Sequence, residues 1–164
     1  MMEPSFTVDE ILVEAACLGR AKWVERLILD GANVNYIQSR ALRLASVRGN
    51  LEIVKLLVCA GSQIEWMDGF GGQSGCASAL AATTETDSKN NYETAKFLLE
   101  SGANIRFNGD WVLATLENIA DPEPWIDLFI EHGTVVDANN GRAMVSLVRQ
   151  DNIKGVKALV ARGA

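Results

Sequence analysis

Histidine is nearly absent from this 164-residue sequence: His132 is the only one. Acid–base chemistry of the usual kind therefore has no pair to build on, and no nucleophile motif accompanies it. Cysteine is scarce too. Cys17, Cys59 and Cys76 are an odd number, and with His132 their gaps are 42, 17 and 56. Small zinc sites use short paired spacings such as C-x₂-C, so free thiols, buried or half-buried, are expected instead. No Asn-x-Ser/Thr sequon occurs. The first 20 residues lack a basic segment followed by an apolar run, and no stretch approaches the roughly 18 apolar residues of a membrane span. A reducing, soluble compartment is the expectation, with a cytoplasmic location. Basic runs are lacking, and the net charge is −6. That argues against nucleic acid and against an anionic membrane surface, both of which are met by clustered Lys and Arg. Finally, Gly69-Phe-Gly-Gly-Gln-Ser-Gly75 has no Lys, so it lacks the residue a phosphate-binding loop needs.

What is present is an ordinary globular composition, 48% apolar and 22% charged, in a length that suits one domain. The stretch Arg40–Ile64 organises it. A first helix carries Leu42, Leu44 and Ala45, Gly49-Asn50 breaks it, and a second carries Ile53, Val54, Leu56, Leu57 and Val58 up to Gly61. Thr7-Val-Asp-Glu10 has the form of a capping box, predicting a helix from about Val8 to Leu18. A second helix follows over about Ala21–Asp30, with Val24, Leu27 and Ile28 at helical spacing, and Gly31 stops it.

The pattern then recurs. The second-helix endings are Leu29-Asp-Gly31, Cys59-Ala-Gly61, Glu100-Ser-Gly102, Glu131-His-Gly133 and Ala161-Arg-Gly163, with glycines 30, 41, 31 and 30 residues apart. About seven residues past three of them stand Asp68-Gly69, Asn108-Gly109 and Asn140-Gly141, dipeptides of tight hairpin turns. The link at Tyr36–Ser39 lacks that signal. The 41-residue interval holds two insertions, a long link from Trp66 to Gly75 and a polar stretch from Glu85 to Asn91. In the fourth unit Asp121-Pro-Glu-Pro124 replaces the inter-helix glycine, and proline suits a first helical turn. A helix pair cannot bury its apolar face alone, but stacked pairs share a continuous core.

At Ala41–Ser46, Gly49–Leu57 and Ala60–Ile64 the chain resembles an ankyrin repeat, whose pattern is T-P-L-H-x-A, then G-H, V, L-L and G-A at about 33 residues. The resemblance covers about Val8–Ala164. It implies an all-α solenoid of five helix-turn-helix repeats with short β-hairpin fingers, in one domain over 1–164, with repeats at about 7–36, 37–66, 67–107, 108–137 and 138–164. No unit has Thr-Pro-Leu-His; Arg40-Ala-Leu-Arg43 stands there instead, so the inter-repeat bonds of that threonine and histidine are missing. The periods near 30 imply shortened fingers.

The resemblance also implies a binding scaffold without catalysis or cofactor, recognising another protein through finger tips and the concave face of the first helices. The residues expected at that surface are Tyr36, Arg43, Val47, Arg48, Trp66, Met67, Phe70 and Phe107. The longest finger carries Trp66, Met67 and Phe70, and exposed aromatics suit interface anchors. The third unit, Trp66–Asn91, is the expected specificity element. An inhibitor or decoy of viral or bacterial origin is the alternative within the binding class, and an enzyme the alternative outside it. Val156, Leu159 and Val160 of the last helix leave an apolar face, so weak self-association through the C-terminal repeat is expected.

Overall fold

Thr7 opens the first helix in the way its sequence predicts. Its hydroxyl accepts from the Glu10 amide at 3.2 Å, and its own amide donates to Glu10 Oε2 at 2.8 Å. This helix, α1 (Val8–Cys17), buries Leu12, Ala15 and Ala16. Gly19, at a φ of +71°, reverses the chain into α2 (Ala21–Leu29). The computed structural model describes residues 6–65, 78–106 and 111–164, without the side chains of 111 and 138–140.

The remaining elements are α3 (Tyr36–Val47), α4 (Leu51–Cys59), α5 (Ala79–Ala82), α6 (Asn91–Glu100), a 3₁₀ helix (Trp111–Asn118), α7 (Glu123–Glu131), α8 (Ala138–Arg149) and α9 (Ile153–Ala161). Among the described residues the molecule is all-helical, with one isolated antiparallel bridge, Glu65 with Ser78. Helix pairs touch their successors in chain order. α1 packs on α2 and α3, α2 on α4, α3 on α5 and α6, the 3₁₀ helix on α8, and α7 on α9.

Two apolar clusters fill the interior. Leu12, Leu42, Ile53, Leu57 and Leu98 belong to the first, and Leu80, Leu116, Ile126, Phe129 and Leu147 to the second. Each fully buried side chain of this size contributes about 1.5–3 kcal/mol. The third pair joins the two, because neighbouring positions of α6 face opposite ways: Leu98 enters the first cluster and Leu99 the second.

Polar bonds tie the pairs at matched positions. Asn91 Nδ2 donates to the Val47 carbonyl at 3.4 Å, and Asn152 Nδ2 to the Ile119 carbonyl at 2.9 Å. Both asparagines stand 11 residues before their unit's terminal glycine, and both carbonyls 14 before theirs. The Thr84 and Thr115 hydroxyl oxygens lie 2.7 Å apart, and Ser146 Oγ donates to Glu117 Oε2 at 2.5 Å. A hydrogen bond of this kind contributes about 1 kcal/mol net.

The links depart from the expected fingers. At Ile37, Gln38 and Ser39 the backbone turns left-handed, with φ of 45°, 56° and 55°. That conformation costs about 1–2 kcal/mol per residue without glycine. Asn35 offsets it: its Oδ1 accepts from Ser39 Oγ at 2.9 Å and from the Gln63 amide at 2.7 Å, and its Nδ2 donates to the Gly61 carbonyl at 3.2 Å. The left-handed run curls the link in place of a hairpin. Asn140-Gly141 is no hairpin turn either. It lies inside α8, with Gly141 at φ +69°. Asp68-Gly69 and Asn108-Gly109 lie outside the described residues. The first helix of the third unit is a single turn, ended where Thr83 and Thr84 hydroxyls donate back to the Leu80 and Ala81 carbonyls at 2.7 Å.

Arg162 links the last two pairs. Its Nε donates to Asp127 Oδ1 at 2.5 Å, and its Nη2 to Glu123 Oε1 at 3.2 Å. The bond from Arg162 to Asp127, with the charge behind it, holds the Asp127 carboxyl below its ordinary 3.8, and slight burial opposes it. A depressed carboxyl pKa contributes stability that is complete above the unfolded value and is lost as pH falls through the folded one. Arg162→Ala should therefore lower the melting midpoint at neutral pH by a few degrees or less, the ion pair being solvent-screened. Thermal melts at stepped pH should show wild type and variant converging below 3.8.

Candidate functional site

The ends of α1 and α3 and the segment after α5 enclose an open groove of about 610 Å³. Two helix C-termini build it. α1 closes with Cys17 and Leu18, and α3 closes one pair further on with Leu44, Val47 and Arg48. Thr86 forms the third side. Arg48 is exposed and is the one charged side chain among the described residues lining the groove. Its Nη2 donates to Cys17 Sγ at 3.4 Å, which lays the guanidinium across the groove. The result is a trough of mixed polarity, with Leu18, Leu44 and Val47 beside Asn50 and Thr86 and one exposed cation at its edge, a shape suited to an apolar side chain next to a carboxylate or backbone carbonyl.

The wall opposite α1 is held rigidly. Thr86 Oγ1 donates to the Val47 carbonyl at 2.6 Å, and Asn91 Nδ2 reaches both that carbonyl and the Thr86 carbonyl, the latter at 2.6 Å. Beside it, Arg43 Nη2 donates to Glu85 Oε1 at 3.0 Å and Oε2 at 3.3 Å. Asp87 Oδ2 accepts from the Ala120 amide at 3.1 Å. The polar insertion thus clamps the second, third and fourth units together. Its sequence placed it with the specificity element, but Glu85, Thr86 and Asp87 are bonded to their own chain.

Of the eight residues expected at the binding surface, the structure brings Val47 and Arg48 into the groove. Arg43 is paired with Glu85 while 40% of its side chain stays exposed, so its cation also serves as a clamp within the chain. Tyr36 is half-buried at the left-handed turn. Trp66, Met67, Phe70 and Phe107 lie outside the described residues. The first-helix positions of the neighbouring units divide. Cys17 and Leu18 line the groove, whereas Leu80, Thr83 and Thr84 are buried and pack internally.

The residues that sequence reasoning missed are Thr86 and Asn91. The signal was available: Asn50, Asn91 and Asn152 all stand 11 residues before a terminal glycine, which marks them as equivalent. Trp23 and Trp125 are equivalent as well, but Trp125 is buried and Trp23 is 62% exposed.

His132 ends α7, its Nδ1 donating to the Leu128 carbonyl at 2.9 Å. Among the described residues no three of His, Cys, Asp and Glu gather as metal ligands would, and no helix is long and apolar enough to cross a membrane.

No protein-family model matches the chain, and no curated protein matches it.

Proposed function

We propose that this chain is a short ankyrin-like solenoid that recognises another protein, without catalysis or a cofactor, in the cytoplasm. The observation that supports it most is the groove beneath Arg48. Consecutive first-helix ends line it at the place where the repeat pattern puts a concave binding face. The trough is open, mixed in polarity and walled by the hydrogen-bonded Val47 carbonyl, so little entropy is lost in ordering that wall when a partner binds. Arg is a favoured hot-spot residue, and the exposed Arg48 guanidinium can meet a carboxylate in a bidentate pair. Trp66, Met67 and Phe70, assigned by the repeat pattern to the longest finger, are proposed as a second recognition element.

Val47→Glu and Arg48→Glu should each weaken partner capture at least about tenfold, the 1.4 kcal/mol or more expected of an interface anchor. Glu25→Lys on α2 should leave capture unchanged. Pulldown with tagged wild type and the three variants, with circular dichroism to establish folding, measures this. Equal capture by wild type and both groove variants would sink the proposal.

A further inference from the structure

On two faces of the molecule, apolar side chains that are covered in the other helix pairs stand in solvent. Counting back eight residues from Gly31, Gly61, Gly102, Gly133 and Gly163 gives Trp23, Ile53, Thr94, Trp125 and Gly155. The last four are buried, and Trp23 is exposed. Counting back 20 gives the same contrast: Ala41, Leu113 and Ala143 are buried, and Ile11 is exposed. Three residues before the glycine the contrast is reversed. Ile28, Val58, Leu99 and Ile130 pack into the core clusters, whereas Val160 is 57% exposed. The α1–α2 face therefore has the shape of a pair without its predecessor, and the α8–α9 face that of a pair without its successor. The first of these is an apolar groove of about 660 Å³ between Phe6, Ile11, Leu18 and Trp23.

We propose that a second copy of this chain covers that groove, presenting its α8–α9 face, so that copies stack head to tail in the register of the internal junctions. That register is defined by contacts inside the molecule. Trp125 meets Tyr92 of the preceding pair edge-on at 5.5 Å. The equivalent contact between copies sets Trp23 on Ile153, which is exposed. Arg162, one residue before its glycine, bonds Asp127, six before the preceding one. The equivalents are Asp30 and Lys157, again of opposite charge. Asn91 donates to the Val47 carbonyl, and its side chain lies over Gly49. The equivalents are Arg20, the Arg149 carbonyl and Asp151, opposite in charge once more.

One pair opposes the fit. Phe97 lies by Lys55 at 5.5 Å, and the equivalents are Arg26 and Lys157. Arg26 is already bonded to Asp30 at 2.9 Å, which places a carboxylate between the two cations. Two charge-complementary pairs and an aromatic–aliphatic contact thus fall in one register, fixed by the chain's own geometry. An unrelated partner would match that register only by chance.

The contact joins two different faces, so it does not close on itself and growth continues beyond a dimer. The faces are small, so association is weak, on the order of a 0.1–1 mM dissociation constant. The inference rests on the stacking of pairs and not on the Arg48 groove, so Arg48→Glu should self-associate like wild type whatever becomes of partner binding.

Sedimentation of the 164-residue chain up to about millimolar concentration tests it, with Trp23→Glu blocking one face and Val160→Glu the other. Both sites are exposed, and circular dichroism establishes that the variants fold. The average mass of wild type should rise at least about twofold over the range. Each variant alone should stay monomeric. An equimolar mixture of the two should form a dimer and stop there, because one intact face of each kind remains free to meet. Lys157→Glu, facing Asp30, should weaken wild-type association without touching the core. A monomeric wild type, a Val160→Glu variant that blocks association while Trp23→Glu does not, or a mixture that stays monomeric would each overturn the head-to-tail arrangement.

Discussion

Gly49→Val should remove about 3–5 kcal/mol from the free energy of unfolding, while Gly31→Val removes about 1–2. Both glycines sit at positive φ, +64° and +89°, so both variants suffer a conformational cost that a β-branched side chain makes worse. The difference lies in what surrounds them. A Cβ at Gly31 meets nothing within 4 Å. At Gly49 it meets Asn91 Oδ1 too closely to coexist with it, and the Asn90 carbonyl carbon at 3.1 Å. Asn91 cannot swing away at little cost. Its Nδ2 is held by the carbonyls of Val47 and Thr86, and the side chain is buried. Displacing it breaks the bond between the second and third units and the wall of the groove together. Against a typical total of about 5–15 kcal/mol, such a loss is a large fraction. Urea denaturation of the two variants measures it, and equal losses at both positions would show that the inter-unit asparagine contributes nothing.

Phe129→Ala should be of similar size, about 3–5 kcal/mol, for a different reason. Phe129 is fully buried, and its ring stands 5.9 Å from that of Trp125, which in turn meets Tyr92 at 5.5 Å. Truncation leaves a cavity in the middle of the second cluster and breaks this aromatic row. The two clusters meet through α6, so the damage should be uneven. Amide hydrogen exchange should accelerate over residues 112–159, while the amides of α1 to α4 keep most of their protection. Uniform acceleration over the whole chain would mean that the two clusters unfold as one unit.

The helices were legible in the sequence because their signals are local. Thr7 and Glu10 lie three residues apart and cap each other, and Val24 with Leu27, or Val54 with Leu57, carry the apolar period on their own. The links were not legible, because their geometry is decided by contacts far along the chain. Asn140-Gly141 has the composition of a hairpin turn, yet the chain there is taken into α8. At Ile37–Ser39 no residue type announces a left-handed turn, since Asn35 sustains it by bonding to Gly61 and Gln63 of the next unit.

The candidate site divides along the same line. Val47 and Arg48 follow from counting along a regular unit, and the structure places both in the groove. Arg43, counted in the same way, is bound to Glu85, 42 residues later, across an insertion whose fold the period could not specify. The clamp formed by Glu85, Thr86 and Asp87 escaped for that reason too. A polar stretch of this composition is compatible with a solvated loop, and only its partners distinguish a clamp from one.

The central claim is that the groove beneath Arg48 receives a protein partner. A photo-reactive residue placed at position 47, with a second placed at position 25 on the outer face of α2, tests it most directly. Illumination in lysate of the cells that make the protein, followed by denaturing electrophoresis, reports which surface lies against a partner. The account predicts a discrete cross-linked species from position 47 that competes away with unlabelled wild type, and none from position 25. A discrete, competable species from position 25 with none from position 47 would contradict it.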